Sequence, residues 1–161
     1  MRRDQLMHLV DTSMQAKSET YALLGDGIAS LTEEFNAEVE SKHWINQKDG
    51  TSIVRAYTPT ITVERQDCKD DETRTWIKKM INTLPTGEAA HTYVVRVSVT
   101  DDTPSSTTAY EAYRRTMAVS VGSTGGDAGG DVVDSVTLSG VGDAVKGTFV
   151  IGTGTFTPDS I

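Results

Sequence analysis

Four sets of residues in this sequence are of types that do chemistry. Asp70-Asp71-Glu72, and Asp101-Asp102 further along, have the carboxylate density of a cation site. The first set also stands where a helix should begin, and the macrodipole stabilises acids there without any metal, which is the simpler reading. His8, His43 and His91 sit in three unrelated contexts, with no Ser, Cys or Asp at a recognisable catalytic spacing. Cys68 precedes the same helix start, where a thiol pKa can fall, but no catalytic signature surrounds it. The glycine-rich stretch 122–131 lacks the Lys-Ser/Thr pair of a phosphate cradle and the βαβ setting of a dinucleotide site, and it reads as a flexible loop. One Cys among three scattered His does not make a zinc site. No residue is assigned to catalysis, to a metal or to a cofactor, and the expectation is a protein that is not an enzyme.

A row of acids, rather than a cluster, is the more informative feature. From Ile28 the pattern has a period of two: Ala29, Leu31, Phe35, Ala37 and Val39 point one way, and Ser30, Thr32, Glu34, Asn36, Glu38 and Glu40 the other. Only Glu33 interrupts the apolar side. This spacing predicts one continuous strand over 28–40, much longer than the usual five or six residues. Its apolar side is expected to pack on the subunit's own helix. The acidic side is either a solvated face of a generic sandwich or part of the wall of a wide, water-filled barrel that several copies close together.

A second long strand follows, with Ile53, Tyr57, Ile61 and Val63 on one face and Thr58, Thr60, Thr62, Glu64 and Gln66 on the other. Pro59 marks an edge or a bulge, because proline cannot donate to a ladder. Between the two strands lies the loop 41–51, where Trp44 and Ile45 are unexpectedly apolar. A helix is predicted over 70–84, with Thr73, Trp76, Ile77, Met80, Ile81 and Leu84 as its apolar stripe and Pro85 and Gly87 as its stop. The remainder alternates as strands from His91 onward, with two of them, near 132–141 and 145–157, joined by a turn at Gly142-Asp143. Residues 1–20 carry Leu6, Leu9, Val10 and Met14 at helical spacing, which predicts a short amphipathic turn or a mobile arm.

The 161 residues suit a single domain. Fifteen Lys+Arg against 23 Asp+Glu give a formal net charge of −8, which disfavours binding to a nucleic-acid backbone by counterion release. A lone cysteine excludes an internal disulfide framework. No apolar run approaches the length of a membrane-spanning helix, and the basic start Met1-Arg2-Arg3 leads into no signal-peptide core. These features predict a soluble, cytosolic domain of mainly-β class, a sandwich or barrel with one α-helix.

The order of these features resembles the tail tube proteins (major tail proteins) of long-tailed bacteriophages, whose fold is shared with contractile-tail and type VI secretion tube proteins. The likeness runs from about Ala22 to Pro158. It rests on the strand opening Ile28-Ala29-Ser30-Leu31-Thr32, the loop 41–51, the long strand ending near Asp67, the single helix, and the strand from His91. Its most specific part is the closing Gly142-Asp143-Ala144-Val145-Lys146-Gly147-Thr148-Phe149 with Gly154-Thr155-Phe156-Thr157-Pro158.

The resemblance implies a structural subunit that forms six-membered rings stacked into a tube, with long strands lining a shared lumen barrel through which DNA passes without specific contact. On that reading residues 1–21 are an N-terminal arm and 22–161 the tail tube domain. Glu34, Glu38, Glu40, Thr60, Thr62 and Glu64 are the lumen-facing candidates, and Lys42, Trp44, Ile45 and Asp49 the inter-ring loop candidates. The implied partners are further copies of the chain, tail terminator, tape measure and baseplate or tail-tip proteins. The implied location is the virion tail, assembled in the host bacterial cytoplasm, with no membrane involved. Two alternatives stay open: the tube subunit of a tail-derived injection particle or secretion system, and a monomeric β-sandwich binding module.

Overall fold

The computed structural model describes residues 1–161. Ten strands form: β1 (Leu6–Asp11), β2 (Tyr21–Leu23), β3 (Glu33–Glu34), β4 (Ala37–Lys42), β5 (Thr51–Tyr57), β6 (Thr60–Gln66), β7 (His91–Ser98), β8 (Ala109–Gly125), β9 (Val133–Val150) and β10 (Thr155–Pro158). One helix, α1, spans Glu72–Thr83. The main sheet is antiparallel in the order β2-β1-β7-β8-β9-β6-β3, with β10 added to the far half of β9; β4 and β5 pair only with each other. The chain is therefore mainly β with one helix.

The apolar residues are divided between two cores. In the first, Trp76, Ile77 and Met80 of α1 pack with Val10, Leu31, Ile61, Val63, Val94, Met117, Val119, Val136 and Leu138. In the second, Leu9, Val95, Val97, Val99, Tyr110, Ala112, Phe149 and Phe156 cluster together. Adjacent residues such as Leu9 and Val10, or Val94 and Val95, divide between the cores because successive side chains leave a strand on opposite faces. The long β8–β9 ladder, from Ala109↔Val150 to Gly125↔Val133, contributes to both cores and ties them together.

Local chemistry sets the helix ends. Asp71 caps the N-terminus, its carboxylate accepting from the Arg74 amide at 2.9 Å, and Leu84 closes the helix in the left-handed region at φ 44°. The buried Arg65 guanidinium donates to the same Asp71 oxygen at 2.9 Å. Asp71 is thus occupied as a cap and ion-pair partner.

Five sequence expectations need correction. The apolar residues 6–14 form no amphipathic turn: the one helical turn in residues 1–20 is a short 3-10 turn at Arg3–Gln5 with no buried residue, while Leu6–Asp11 is a strand between β2 and β7 whose buried His8, Leu9, Val10 and Asp11 make it an integral part of the sheet. Helical spacing of four apolar residues cannot distinguish a helix from a strand buried on both faces. The strand over 28–40 breaks into β3 and β4 at Phe35-Asn36, where Asn36 takes a left-handed φ of 46°. The second long strand divides into β5 and β6 at Thr58-Pro59. Leu84, placed in the helix stripe, is 62% exposed, since its capping conformation turns it outward. Finally, Gly142-Asp143 is no hairpin turn: β9 continues through it as a bulge, with three residues passing Arg115, whose guanidinium donates to the Gly142 carbonyl at 2.8 Å. The hairpin turn falls instead at 151–154.

Candidate assembly surfaces

Two surfaces bring together the residues singled out by the sequence. The first is polar. Segment 27–34 runs antiparallel along β6, joined by the Gln66 amide to the Gly27 carbonyl at 2.9 Å and by the pairs Glu33↔Ile61 and Glu34↔Thr60. Alternation sends Ser30, Thr32 and Glu34 to one side and Thr60, Thr62 and Glu64 to the same side, where all six line one open groove with no apolar residue among them. Neither Glu34 nor Glu64 forms an ion pair, so both present bare charge to solvent. Four of the six lumen-facing candidates therefore share a surface.

The other two, Glu38 and Glu40, lie on the β4–β5 hairpin. They share its face with Ala56 and Ile53, to which they are paired. A bulge between Glu38 and Val39 leaves Arg55 as the extra residue on β5, and its guanidinium contacts Glu40. Lys42 adds a second cation 3.3 Å from Glu40. The acidic row is thus locally neutralised at Glu40, which sequence alternation could not foresee because the bulge aims Arg55 there.

The second surface is the hairpin itself. Ala37, Val39, Val54 and Tyr57 occupy the face opposite Glu38 and Glu40, and Val39, Ile53, Val54 and Tyr57 are each between 45% and 61% exposed. Every residue of β5 is exposed and only one of β4 is not. This overturns the expectation that Phe35 and Val39 join Leu31 against the helix: Leu31 does pack beside Trp76, Ile77 and Met80, whereas Phe35 stays 44% and Val39 54% exposed. The left-handed Asn36 and the Thr58-Pro59 break turn the hairpin away from the body. At its tip, Trp44 and Ile45 are fully or largely exposed, with Lys42 and Asp49 also in solvent. His43 belongs to this tip, its Nε2 2.7 Å from the Gln47 carbonyl oxygen.

Sequence reasoning missed the clamp at the hairpin's base. Glu33, the residue that interrupts the apolar row, accepts from Arg96 Nη1 at 2.9 Å and lies 3.5 Å from Nε2 of the buried His8. Burial raises the Glu33 pKa, but the His8 and Arg96 contacts outweigh it and hold the carboxyl below its ordinary range. Arg96 also lies over the Phe35 and Tyr113 rings, at 5.7 and 5.4 Å. An acid inside an apolar row is the one signal that pointed here.

The fold is a two-core antiparallel sheet with one packed helix and a hairpin whose apolar side chains no other part of the chain covers. Solved structures share this fold. The chain is similar to a protein in the tail of an empty GTA particle with C6 symmetry, at 11% identity over 89% of this chain and 96% of that one, with a TM-score of 0.59. A protein of the virion of a native gene transfer agent particle matches at 12% identity over 98% of both chains, TM-score 0.56. The tube-terminating cap of the anti-feeding prophage matches at 9% identity over 92% of this chain and 91% of that one, TM-score 0.54. No protein-family model matches the sequence, and no curated protein does. The fold is therefore of the phage tail tube type.

Proposed function

We propose that this chain is a structural, non-enzymatic subunit of a phage tail tube, assembling as six-membered rings that stack around a channel for DNA. The observation that carries the reading is the β4–β5 hairpin, which projects from the body with apolar side chains on both faces and backbone edges that no other strand pairs. Exposed edges and contiguous apolar faces are uncommon on proteins that remain monomeric, and neighbours satisfy both at once. The tail tube-type fold and the C6 symmetry of the similar GTA tail support the ring and its order.

In this assembly Glu34, Glu38, Thr60, Thr62 and Glu64 line the lumen. Bare carboxylates there repel phosphate and keep the wall from holding DNA. Glu40 lies on the same row but acts through its pairing with Arg55 and Lys42 to fix the hairpin's shape. Lys42, Trp44, Ile45 and Asp49 contact the next ring. Tail terminator, tape measure and tail-tip proteins complete the structure, which resides in the virion tail after assembly in the host cytoplasm. Likeness to the prophage tube cap favours a second reading, in which the same tube belongs to a tail-derived injection particle.

Negative-stain microscopy and light scattering of the purified protein across concentration and salt test the proposal. Rings or tubes are the expected result. Compact monomers throughout would support the monomeric binding module instead.

A further inference from the structure

Two outer strands of the main sheet, β2 and β10, approach each other without pairing. β2 pairs only with β1 and β10 only with β9, yet Glu19 and Tyr21 line one hollow of about 290 Å³ together with Gly154, Thr155 and Phe156. The sheet curls around the second core, with the Tyr21 ring edge-on to Phe149 at 5.7 Å, and an open seam is left between these two strands. Arg114 of β8 meets both sides of that seam. Its guanidinium lies over the Tyr93 ring at 4.4 Å and over the Phe156 ring of β10 at 4.9 Å, and its Nη1 donates to Glu19 at 2.9 Å. Tyr21 Oη donates to the other Glu19 oxygen at 2.6 Å. Burial, and then the Glu19 carboxylate, push the Tyr21 hydroxyl far above its ordinary value, so it keeps the proton that it donates.

We infer that Arg114 is a buckle: caged between Tyr93 and Phe156 and paired with Glu19, it closes the seam and fastens β10 to the segment that leads into β2. Backbone pairing on one side holds a four-residue edge strand weakly, and the facing edges share no hydrogen bond, so side chains must span the gap. A guanidinium suits this task. It is planar and always charged, and it stacks on aromatic faces while its N–H groups bond a carboxylate at the rim. Only 20% of the Arg114 side chain and 26% of that of Glu19 are exposed, so solvent screens the pair less than a surface one. Released, β10 frays from β9 and uncovers the Gly147–Val150 edge. The buckle is a property of the single subunit and does not depend on the tube reading.

The test is amide hydrogen exchange on the full chain, read separately at β10 and at β7. Arg114→Ala should speed exchange of the β10 amides, and of Asp159 on the Lys146 carbonyl, by about tenfold while β7 keeps its wild-type rates. Guanidinium chloride at tens of millimolar, far below denaturing concentrations, should refill the cage and slow those amides again. The same concentration of potassium chloride should not. Glu19→Gln removes the charge pair but leaves the cage filled, and a smaller rise confined to the same amides is expected. Unchanged β10 exchange in either variant, a rise in Glu19→Gln that spreads to β7, or failure of guanidinium to outdo potassium overturns the buckle. Should Arg114→Ala unfold the whole chain, Glu19→Gln decides by the same readings.

Discussion

Asn36 Nδ2 donates to the Thr58 carbonyl oxygen at 3.0 Å, joining the two breaks from which the hairpin departs. The same amide reaches Thr60 Oγ1 at 2.9 Å, and the Thr58 amide returns a bond to the Phe35 carbonyl at 3.0 Å. Asn36 adopts a φ of 46°, a region that asparagine tolerates far better than a branched residue. Asn36→Val should cost about 1–2 kcal/mol in backbone strain, before the lost amide bonds are counted. For a domain of this size that lowers Tm by about 2–8 °C. Asn36→Gly relieves the φ and should unfold closer to wild type. Thermal unfolding of both variants checks the order.

The two tryptophans separate folding from assembly. Trp76 is 2% exposed in the helix-side core, so Trp76→Ala should cost about 3–5 kcal/mol in urea unfolding. Trp44 and Ile45 touch solvent, so Trp44→Ala with Ile45→Ala should change monomer stability by no more than about 0.5 kcal/mol. The double variant should nevertheless stop tube growth, as microscopy would reveal. Full-length tubes from it would reduce the tip to a solvated connection.

Acid should loosen the hairpin's base. The Glu33 carboxyl is held below its unfolded value of about 4.3, so its stabilisation is present above that pH and is lost as pH falls through the lower folded value. Asp67, paired with Arg74, and Asp26, paired with Lys69, are lowered too and titrate in the same direction. Glu33→Gln should therefore flatten, without abolishing, the fall of Tm in the acid range. An acid limb identical to wild type would show that the His8–Glu33–Arg96 contacts contribute nothing there.

Reversing the bare carboxylates should convert the channel wall from repelling to retaining DNA. Tubes carrying Glu34→Lys and Glu64→Lys are expected to hold DNA that wild-type tubes release. Binding should weaken with salt at a log–log slope of about −0.9 per phosphate neutralised. Equal retention by both proteins would place this groove on the outside.

Much of this was legible in the residues, and the exceptions share physical causes. The helix could be read because Asp71, the Trp76–Met80 stripe and Pro85 act locally. That Ser30, Thr32 and Glu34 share one side of their segment, and Thr60, Thr62 and Glu64 one side of theirs, could be read because alternation persists through both; that the two sides meet in one groove comes from the pairing of segment 27–34 with β6, which neither segment carries alone. Pro59 marked the second break, but the first was not legible, since the left-handed Asn36 sits in an alternation that only Glu33 interrupts and its turn is stabilised by bonds to Thr58 and Thr60, far along the chain. Likewise, β1 is buried on both faces by non-local partners, which erases the period that marks a strand. Arg55 meets Glu40 through a bulge, and a bulge is a property of two strands, not of either alone.

On the proposed function, the subunit builds a tube with its acidic groove turned inward, and cryo-electron microscopy of the assembled protein tests that arrangement. Stacked six-fold rings are expected, with Glu34, Thr62 and Glu64 facing the channel and Trp44 at the junction between rings. A monomeric protein at every concentration and salt, or a tube with those three residues on its outer surface, would contradict it.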